Sequence, residues 1–301
     1  LKVSNSSTNF YRHFKIRKKN GGYRKIAEPL PNLKAIQNWI LEEILYSVKT
    51  SDFAKAYKPK LSIKDNARFH RNQKKVLSLD IEDFFGSVCW LDVFSVFESL
   101  GYSKSVSTML TNLCTLNGSL PQGASTSPAL SNIIMKDIDK RISGFTKKNN
   151  IRYTRYADDL TFSGDFVPGK VIKYVENVLR SKGFLLNPSK TRVRLRNQRQ
   201  EVTGITVNAK VQVSRTKRRE LRKNIYFIKK FGLNSHIEKC GKSKLPYLRH
   251  LLGIANHICF VNKKDTEAQS YLRFLKELWY EETVEHSTNI NSGSKPVKKS
   301  D

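Results

Sequence analysis

Apolar residues recur at intervals of three and four in several stretches of the chain. Leu33, Ile36 and Ile40 begin one such pattern, which predicts an amphipathic helix over residues 33–48. Similar spacing predicts further helices over residues 91–101, 104–116, 127–142, 168–182 and most of 215–282. We expect Ser127 to cap the third of these, with Pro128 in its first turn.

Other apolar runs are short and rich in strand-forming residues. VLSLDI, residues 76–81, predicts a strand that ends on an acidic residue. IRYTRYADDLTFSG, residues 151–164, predicts a hairpin with an acidic tip. YRKIAEP predicts a short strand that Pro29 ends. Further short strands are predicted near residues 184–187, 191–195, 202–207 and 210–214. Helices and strands together predict an α+β fold.

Three segments lack either pattern. Residues 1–20 are polar and basic and are interpreted as an arm, and residues 62–73 are polar and mixed. Residues 283–301 are poor in apolar side chains, which predicts a disordered tail.

Charge indicates the kind of partner. The 301 residues contain 55 Lys and Arg against 26 Asp and Glu, a net charge of +29. Such an excess favours a polyanionic partner, and nucleic acid is the first candidate. The alternative is a ribosomal-type or merely over-basic protein. With 39% hydrophobic residues, the chain has enough apolar material for a core.

Cysteine spacing and hydropathy indicate the compartment. Cys89, Cys114, Cys240 and Cys259 form no CxxC pair, so neither a zinc ribbon nor a disulfide framework is indicated. No apolar run reaches the roughly 20 residues that span a bilayer, and no signal-peptide core is seen at the start. We expect a soluble cytoplasmic protein. The first residue, Leu1, suggests that preceding residues are missing.

Three acidic residues at strand ends carry the candidate chemistry. Asp80 ends one predicted strand, and Asp158 and Asp159 lie at the hairpin tip. Carboxylates brought together repel unless a cation neutralises them, and such oxygen ligands suit Mg²⁺. Two such ions can drive phosphoryl transfer. Taken singly, the acidic pair could be ordinary turn chemistry, and Asp80 could cap the next helix.

Several motifs resemble those of reverse transcriptases. YADD at 156–159 resembles the YxDD box, LDIEDFFGSV at 79–88 the preceding acidic box, and LPQG at 120–123 the nucleotide loop. GFLLNPSKT, residues 183–191, resembles the next conserved segment, and GGYRKIAEPLPNLKAIQ resembles the fingers. The motifs occur in the family's order across roughly residues 15–260.

Two further motifs resemble those of bacterial retron enzymes. NARFH, residues 66–70, resembles the NAxxH motif, and Val202-Thr203-Gly204 resembles the VTG motif. Alternatively, the first is an ordinary loop and the second a strand with a glycine bulge.

The resemblance implies roles at the catalytic centre. Asp80, Asp158 and Asp159 become the catalytic metal ligands, with the Ile81 carbonyl as a further ligand. Side chains alternate along a strand, so we expect Asp158 to bridge to Asp80 more directly than Asp159. Phe85 is expected to exclude a ribose 2′-hydroxyl, although Phe84 and Phe85 could both be core residues.

Other residues are assigned by the same resemblance to the nucleotide and the RNA. The nucleotide-binding candidates are Arg24, Lys25, Gln122, Gly123 and Lys190. Lys190 is a candidate proton donor to pyrophosphate, and Gly123 would allow the backbone to approach the ligand. The basic stretch 215–230 has eight basic residues interleaved with apolar ones, which suits a helix that follows a duplex backbone. The template–primer candidates are Asn66, His70, Val202, Thr203, Gly204, Arg215, Arg218, Arg219 and Arg222.

The resemblance implies a right-hand polymerase whose palm is an antiparallel sheet that carries the acidic residues. The expected divisions are an arm (1–20), fingers (21–75), palm with fingers insertions (76–214), small helical thumb (215–282) and tail (283–301). No RNase H domain is expected, since about 90 residues follow VTG and have a thumb-like pattern.

As a retron enzyme, the protein would use two Mg²⁺ ions, with Mn²⁺ able to substitute, and deoxynucleoside triphosphates. It would copy its own structured noncoding RNA, priming from a 2′-hydroxyl, into a branched RNA–DNA hybrid called msDNA. An anti-phage role beside a separate effector protein is also implied. The alternatives are another bacterial reverse transcriptase, of group II intron or diversity-generating type, and a catalytically silent RNA-binding scaffold.

Overall fold

The computed structural model describes Ser4, residues 7–18 and residues 21–292, with side chains as far as Val284. The chain divides into two compact units, Leu1–Thr203 and Gly204–Asp301. This division precedes the boundary at residue 214 that the sequence predicted between palm and thumb.

A four-stranded antiparallel sheet lies at the centre of the first unit. Its strands are β3 (Lys75–Asp80), β4 (Arg152–Tyr156), β5 (Asp159–Gly164) and β6 (Arg192–Leu195), in the order β4-β5-β3-β6. Strand β3 pairs with neighbours on both edges, and the leucines of its apolar run are buried in the core cluster. The predicted strand near 184–187 is only an isolated bridge between Leu186 and Ile81.

A hairpin precedes this sheet in the chain. Strands β1 (Tyr11–Arg17) and β2 (Tyr23–Pro29) pair antiparallel over their full length. The expectation of an arm over residues 1–20 is therefore wrong for the seven residues of β1. Only Tyr11 of this strand is buried, so the pattern of apolar residues gave no sign of it. Residues 1–3, 5–6 and 19–20 lie outside the described residues.

Helices and short turns complete the first unit. The helices are α1 (Pro31–Trp39), α2 (Ile63–Phe69), α3 (Trp90–Ser99), α4 (Lys104–Cys114), α5 (Ser127–Ile134), α6 (Lys136–Lys148) and α7 (Pro168–Arg180). Shorter elements accompany them: 3₁₀ turns at Ser7–Phe10, Leu45–Ser47 and Pro188–Lys190, a π-helical turn at Ile40–Ile44, and the two-residue strand β7 (Glu201–Val202).

The helices predicted over 33–48 and 127–142 differ from those observed, and the first is α-helical only as far as Trp39. The helix expected over 127–142 is divided at Met135 into α5 and α6. Thr126, rather than Ser127, occupies the cap position of α5. Ser127 lies inside the helix, and its hydroxyl donates to the Pro121 carbonyl at 2.8 Å, which fixes the preceding loop.

Helix α2 was not predicted, because its sequence is polar and short. Ser62 begins it through a capping box: the Asp65 amide donates to Ser62 Oγ at 3.4 Å, and the Ser62 amide donates to Asp65 Oδ2 at 3.0 Å. These bonds satisfy amides that a helix start otherwise leaves without partners.

The core of the first unit lies between the four-stranded sheet and its helices. Leu77, Leu79 and Phe162 from the sheet share one buried cluster with Ile142 of α6 and Val175 of α7. The rings of Tyr153 and Phe162 stack across β4 and β5 with centroids 5.0 Å apart.

The second unit is helical, apart from the short strand β8 (Ile205–Thr206). Its helices are α8 (Arg215–Phe231), α9 (Leu233–Cys240), α10 (Lys244–Val261) and α11 (Thr266–Ser292). The tail expected to be disordered from residue 283 is helical as far as Ser292, so that prediction is wrong for those ten residues, and 293–301 lie outside the described residues. Across the described residues, none of the helices combines the length and apolarity needed to cross a bilayer.

Candidate functional site

The strand register places the three acidic residues at one end of the sheet. Asp80, the last residue of β3, pairs in register with Asp159, the first residue of β5. Asp158 and Ala157 form the turn between β4 and β5, and Ala157 has a left-handed φ of 57°. The Ile81 amide donates to the Asp158 carbonyl at 3.0 Å, which ties this turn to the end of β3.

The carboxyl groups at this end oppose one another's ionisation. Burial, with repulsion from Asp80, raises the pKa of Asp158, although the charges of Lys190 and Arg24 act against the rise. Desolvation in the cleft, followed by repulsion from Asp158 and Asp80, raises the pKa of Asp159 to about 6, even though this residue still reaches solvent. A cation at this position would favour the ionised form of both carboxyls.

Lys190 already supplies one positive charge to the cleft. Its ammonium donates to both oxygens of Asp80, at 2.8 and 2.9 Å. The Asn187 amide donates to the Asp80 carbonyl at 2.8 Å, so the turn before Lys190 is fixed to β3. The hydrogen bonds with Asp80 are the main cause of the raised pKa of Lys190. Lys190, which was predicted to bind the nucleotide, therefore contacts Asp80, one of the three candidate catalytic residues.

The donor chemistry of this cleft fits a hard divalent cation. Three carboxylates line this cleft, and burial together with repulsion between them keeps the pKa values of Asp158 and Asp159 raised despite the charge of Lys190. Oxygen ligands of this kind are those that Mg²⁺ selects. Within the described residues, no three His, Cys, Asp or Glu side chains are already grouped so that together they could hold a metal ion. The role of the Ile81 carbonyl as a ligand stays a prediction.

A buried arginine beneath the acidic turn was missed from the sequence. Arg155 is fully buried, and its guanidinium donates to both oxygens of Asp139, at 2.9 and 2.8 Å. Its Nη1 also donates to Asn132 Oδ1 at 3.0 Å and to the Ala157 carbonyl at 3.2 Å. Arg155 therefore holds the residue just before Asp158. Little in the sequence signalled this, because the strand RYTRY also contains Arg152, which is exposed.

The β1–β2 hairpin contributes a cation near the acidic turn. Arg24 lies close enough to Asp158 for its charge to lower that residue's pKa, against the larger effect of burial. Adjacent side chains on a strand point to opposite faces, so Lys25 lies on the other face of β2. Of the two predicted triphosphate ligands, only Arg24 has a position that favours this role.

The LPQG loop packs directly on the same hairpin. The Ala27 amide of β2 donates to the Gln122 carbonyl at 2.9 Å. Gly123 has a φ of +132°, and a Cβ there would lie 2.6 Å from the Ala27 carbonyl oxygen. The sequence interpretation of Gly123 was close approach to a ligand. In the structure, a glycine is required at this position because the backbone lies close to β2.

The two adjacent phenylalanines after Asp80 have different environments. Phe84 is 5% exposed and packs against Phe184 with ring centroids 6.1 Å apart. Phe85 is half-buried, so part of its ring remains accessible. Phe84 is therefore the core residue, and Phe85 keeps the surface that the predicted sugar contact requires.

Comparison with known proteins decides the family. Residues 16–209 match the family described as "Reverse transcriptase (RNA-dependent DNA polymerase)". The chain is 36% identical over 260 residues to the Retron Ec86 reverse transcriptase of Escherichia coli, covering 84% of this chain and 77% of that protein. The chain belongs to the retron reverse transcriptases. It is 33% identical to the Retron Ec83 enzyme of the same organism, over 82% of this chain and 83% of the relative.

Membership of this family makes the protein an RNA-directed DNA polymerase. Reverse transcriptases use divalent metal ions, RNA templates and deoxynucleoside triphosphates. The fold agrees: the foamy viral protease–reverse transcriptase, in complex with double-stranded DNA, aligns with a TM-score of 0.50 at 15% identity, covering 88% of this chain and 42% of that one. The predicted α+β polymerase fold is confirmed.

The NAxxH motif of this reverse transcriptase is internal, which corrects the expectation that Asn66 and His70 contact RNA. Both residues are 0% exposed. His70 Nδ1 lies 2.7 Å from Ser163 Oγ, and its Nε2 lies 2.8 Å from Thr154 Oγ1. Thr154 Oγ1 donates to Asn66 Oδ1 at 2.6 Å. The motif therefore fastens α2 to β4 and β5, and burial lowers the pKa of His70 to about 3.

The VTG motif forms a turn at the end of the first unit. Val202 is 2% exposed, so its side chain is not available for the predicted RNA contact. Thr203 has a φ of 47°, and its hydroxyl donates to the Ile63 carbonyl of α2 at 3.4 Å. Gly204 is exposed with a φ of 79°, so it stays a candidate for the RNA contact. The VTG turn therefore contacts the first residue of α2, the helix that carries the NAxxH motif.

Two of the four thumb arginines have internal partners. Arg222 donates to both oxygens of Glu267, at 2.7 and 2.8 Å, and Arg218 forms ion pairs with Asp265 and Glu267. These contacts join α8 to the start of α11, which corrects the expectation that both arginines are free for RNA. Arg215 and Arg219 are exposed and remain candidates.

Proposed function

We propose that this reverse transcriptase copies a structured noncoding RNA into DNA at the cleft formed by Asp80, Asp158 and Asp159. The observation that carries the proposal is the strand register that pairs Asp80 with Asp159 beside the Asp158 turn. A primer hydroxyl would attack the innermost phosphate of a deoxynucleoside triphosphate, and pyrophosphate would leave.

The three carboxylates would hold two Mg²⁺ ions, with Mn²⁺ able to substitute. When bound, such ions activate the attacking oxygen and stabilise charge on the leaving group. The protein supplies the remaining contacts. Arg24 faces the triphosphate, Phe85 lies against the sugar, and Lys190 is positioned by Asp80 to give a proton to pyrophosphate.

The product we propose is msDNA, a branched RNA–DNA hybrid that is primed from a 2′-hydroxyl of the template RNA. The NARFH and VTG motifs and the retron relatives support this assignment. By the same resemblance, the enzyme serves anti-phage defence beside a separate effector protein. Its four free cysteines suit a reducing cytoplasm, where we place the activity.

The decisive experiment is on the nucleic acid that co-purifies with the protein. Wild type and Asp158→Asn are purified in parallel, the nucleic acid is treated with RNase, and the remainder is resolved on a denaturing gel. We expect a discrete single-stranded DNA with a branched 5′ remnant from wild type. The variant should yield none, because Asp158 is a proposed ligand of the reaction centre.

The other outcomes separate the rival functions. Primer extension on added RNA, without any co-purifying branched DNA, would keep the polymerase and reject msDNA synthesis. Full cellular function of Asp158→Asn with unaltered RNA binding would favour the silent scaffold instead. A control variant, Asp165→Asn, removes an exposed carboxylate that pairs with Lys74 and Lys75 outside the cleft, and should keep the DNA product.

A further inference from the structure

A cavity of about 310 Å³ lies beside the C-terminal end of α2. It is lined by three arginines and two carboxamide residues: Arg68, Arg71, Asn72, Gln73 and Arg152. Water occupies about 30 Å³ per molecule in the liquid, so this space admits a hydrated phosphate with room to spare. None of these residues was among the predicted sites.

Hydrogen bonds fix the backbone around the cavity. Arg152 Nη1 donates to the Phe69 carbonyl at 2.8 Å, and its guanidinium lies 5.9 Å from the Phe69 ring centroid. Gln73 Nε2 donates to the carbonyls of Arg71 and Asn72, at 3.1 and 3.2 Å. Arg196 in turn donates to Asn72 Oδ1 at 3.2 Å. The arginines therefore project from a fixed backbone: Arg68 from the end of α2, Arg71 from the loop that follows, and Arg152 from the start of β4.

The three arginines of this cavity form no ion pair within the described part of the chain, and Asp65, which senses the charge of Arg68, is hydrogen-bonded to Ser62. No described carboxylate lies within 4.0 Å of Arg68, Arg71 or Arg152. The nearby Asp165 is already paired with Lys74 and Lys75. Three guanidinium groups around one space repel one another unless an anion enters.

We propose that this cavity binds backbone phosphate of the RNA that the enzyme copies. Guanidinium groups match phosphate oxygens with paired hydrogen bonds. An acidic protein partner is a poorer fit, because the lining residues are all polar and protein interfaces have an apolar core. That the polyanion is RNA rests on the proposed function. The cavity and its positive charge are features of the structure and do not depend on that function.

The arrangement gives the NAxxH motif an indirect part in RNA binding. Asn66 and His70 face inward and fasten α2 to the sheet. Arg68 and Arg71 lie on the exposed side of the same segment. The buried residues thus fix where the exposed arginines stand.

The first arm of the test is a binding titration. A fluorescently labelled hairpin RNA with a single-stranded tail is titrated with the full chain over a series of KCl concentrations. The test variant is Arg68→Gln/Arg71→Gln. The control is Arg141→Gln/Arg180→Gln, which removes two exposed arginines from α6 and α7. Losing two phosphate contacts should reduce the log–log salt slope by about 1.4 to 1.8 in the test variant alone.

The second arm locates the contact directly. Wild-type protein is treated with phenylglyoxal with and without the hairpin RNA, and modified arginines are mapped by mass spectrometry. Arg68, Arg71 and Arg152 should be protected by RNA, and Arg141 and Arg180 should not. Primer extension on a simple template is measured in the same preparations.

The outcomes separate this proposal from the proposed function. A protein that extends primers and binds the hairpin, yet leaves the three arginines unprotected and the salt slope unchanged, overturns the phosphate cavity alone. Protection without any polymerase activity supports the cavity and rejects the catalytic proposal. A protein that binds no RNA overturns both.

Discussion

Phe84 and Phe85 differ in exposure, and this difference makes a matched pair of substitutions. We predict that Phe85→Ala raises the relative kcat/KM for ribonucleotides by on the order of 10- to 100-fold, because removing the ring opens space for a 2′-hydroxyl. Phe84→Ala should instead lower the free energy of unfolding by about 3–5 kcal/mol, since it leaves a core cavity.

Single-nucleotide incorporation with matched ribo- and deoxynucleotides measures the first effect, and urea denaturation measures the second. If both variants relaxed sugar selection equally, packing around the motif would explain the selectivity, and Phe85 would lose its specific role.

The buried His70 should make the stability of the folded protein depend on pH. Burial lowers its folded-state pKa to about 3, whereas an unfolded histidine has a pKa near 6.5. Between these values the unfolded chain takes up a proton that the folded chain does not, so stability falls as pH falls below about 6.5. From pH 7 to pH 5, His70 alone should remove about 2 kcal/mol from the free energy of unfolding.

The comparison is with His70→Asn, measured by urea denaturation at pH 5, 6 and 7. The variant is expected to be less stable at pH 7, because it loses contacts with Thr154 and Ser163. Its stability should depend less on pH than that of wild type. Equal acid dependence in the two proteins would mean that folding does not lower the pKa of His70.

The β4–β5 turn depends on the buried pair of Arg155 and Asp139. Asp139→Asn leaves a buried guanidinium without its counter-charge, which should lower the free energy of unfolding by about 3–5 kcal/mol. The double variant Arg155→Met/Asp139→Leu removes both charges and should recover much of that stability. It also removes the donor to the Ala157 carbonyl, so we predict that kcat stays low with little change in KM.

Urea denaturation and single-turnover primer extension separate these two effects. Recovery of kcat in the double variant, along with stability, would show that Arg155 acts only through folding. Persistent loss of kcat in a stable protein would support its role in positioning Asp158.

Elements with a strong apolar pattern were predicted, and those held by polar contacts were not. Strand β3 carries an apolar run and the β4–β5 hairpin is rich in strand-forming residues, and both lie where the sequence placed them. Strand β1 has one buried residue, and α2 depends on a Ser62–Asp65 capping box, so neither has a periodic signal.

The same limit applies to the functional residues. The motifs located the acidic turn, but a motif does not say which side of an element its residues face. Asn66 and His70 proved internal for this reason. Nor could the basic stretch of α8 reveal that Arg222 pairs with a glutamate 45 residues later.

At the scale of the whole molecule, the charges divide between two tasks. The net charge of +29 favours the polyanionic template and product, whereas the clustered carboxylates at the end of the sheet oppose it locally. Binding should therefore depend on the many dispersed cations, and catalysis on a few acidic groups that do not increase the affinity for nucleic acid.

Salt dependence with Asp158→Asn tests this division. We predict that log affinity for a hairpin RNA falls linearly with log salt concentration, because bound cations displace counterions from phosphates. Asp158→Asn should keep the same slope, with affinity equal to or slightly above that of wild type, since one repulsive charge is lost. Its primer extension should fall to background at every salt concentration. A variant that lost affinity in step with activity would instead place Asp158 in the RNA-binding surface, and the separation of charge into two tasks would be wrong.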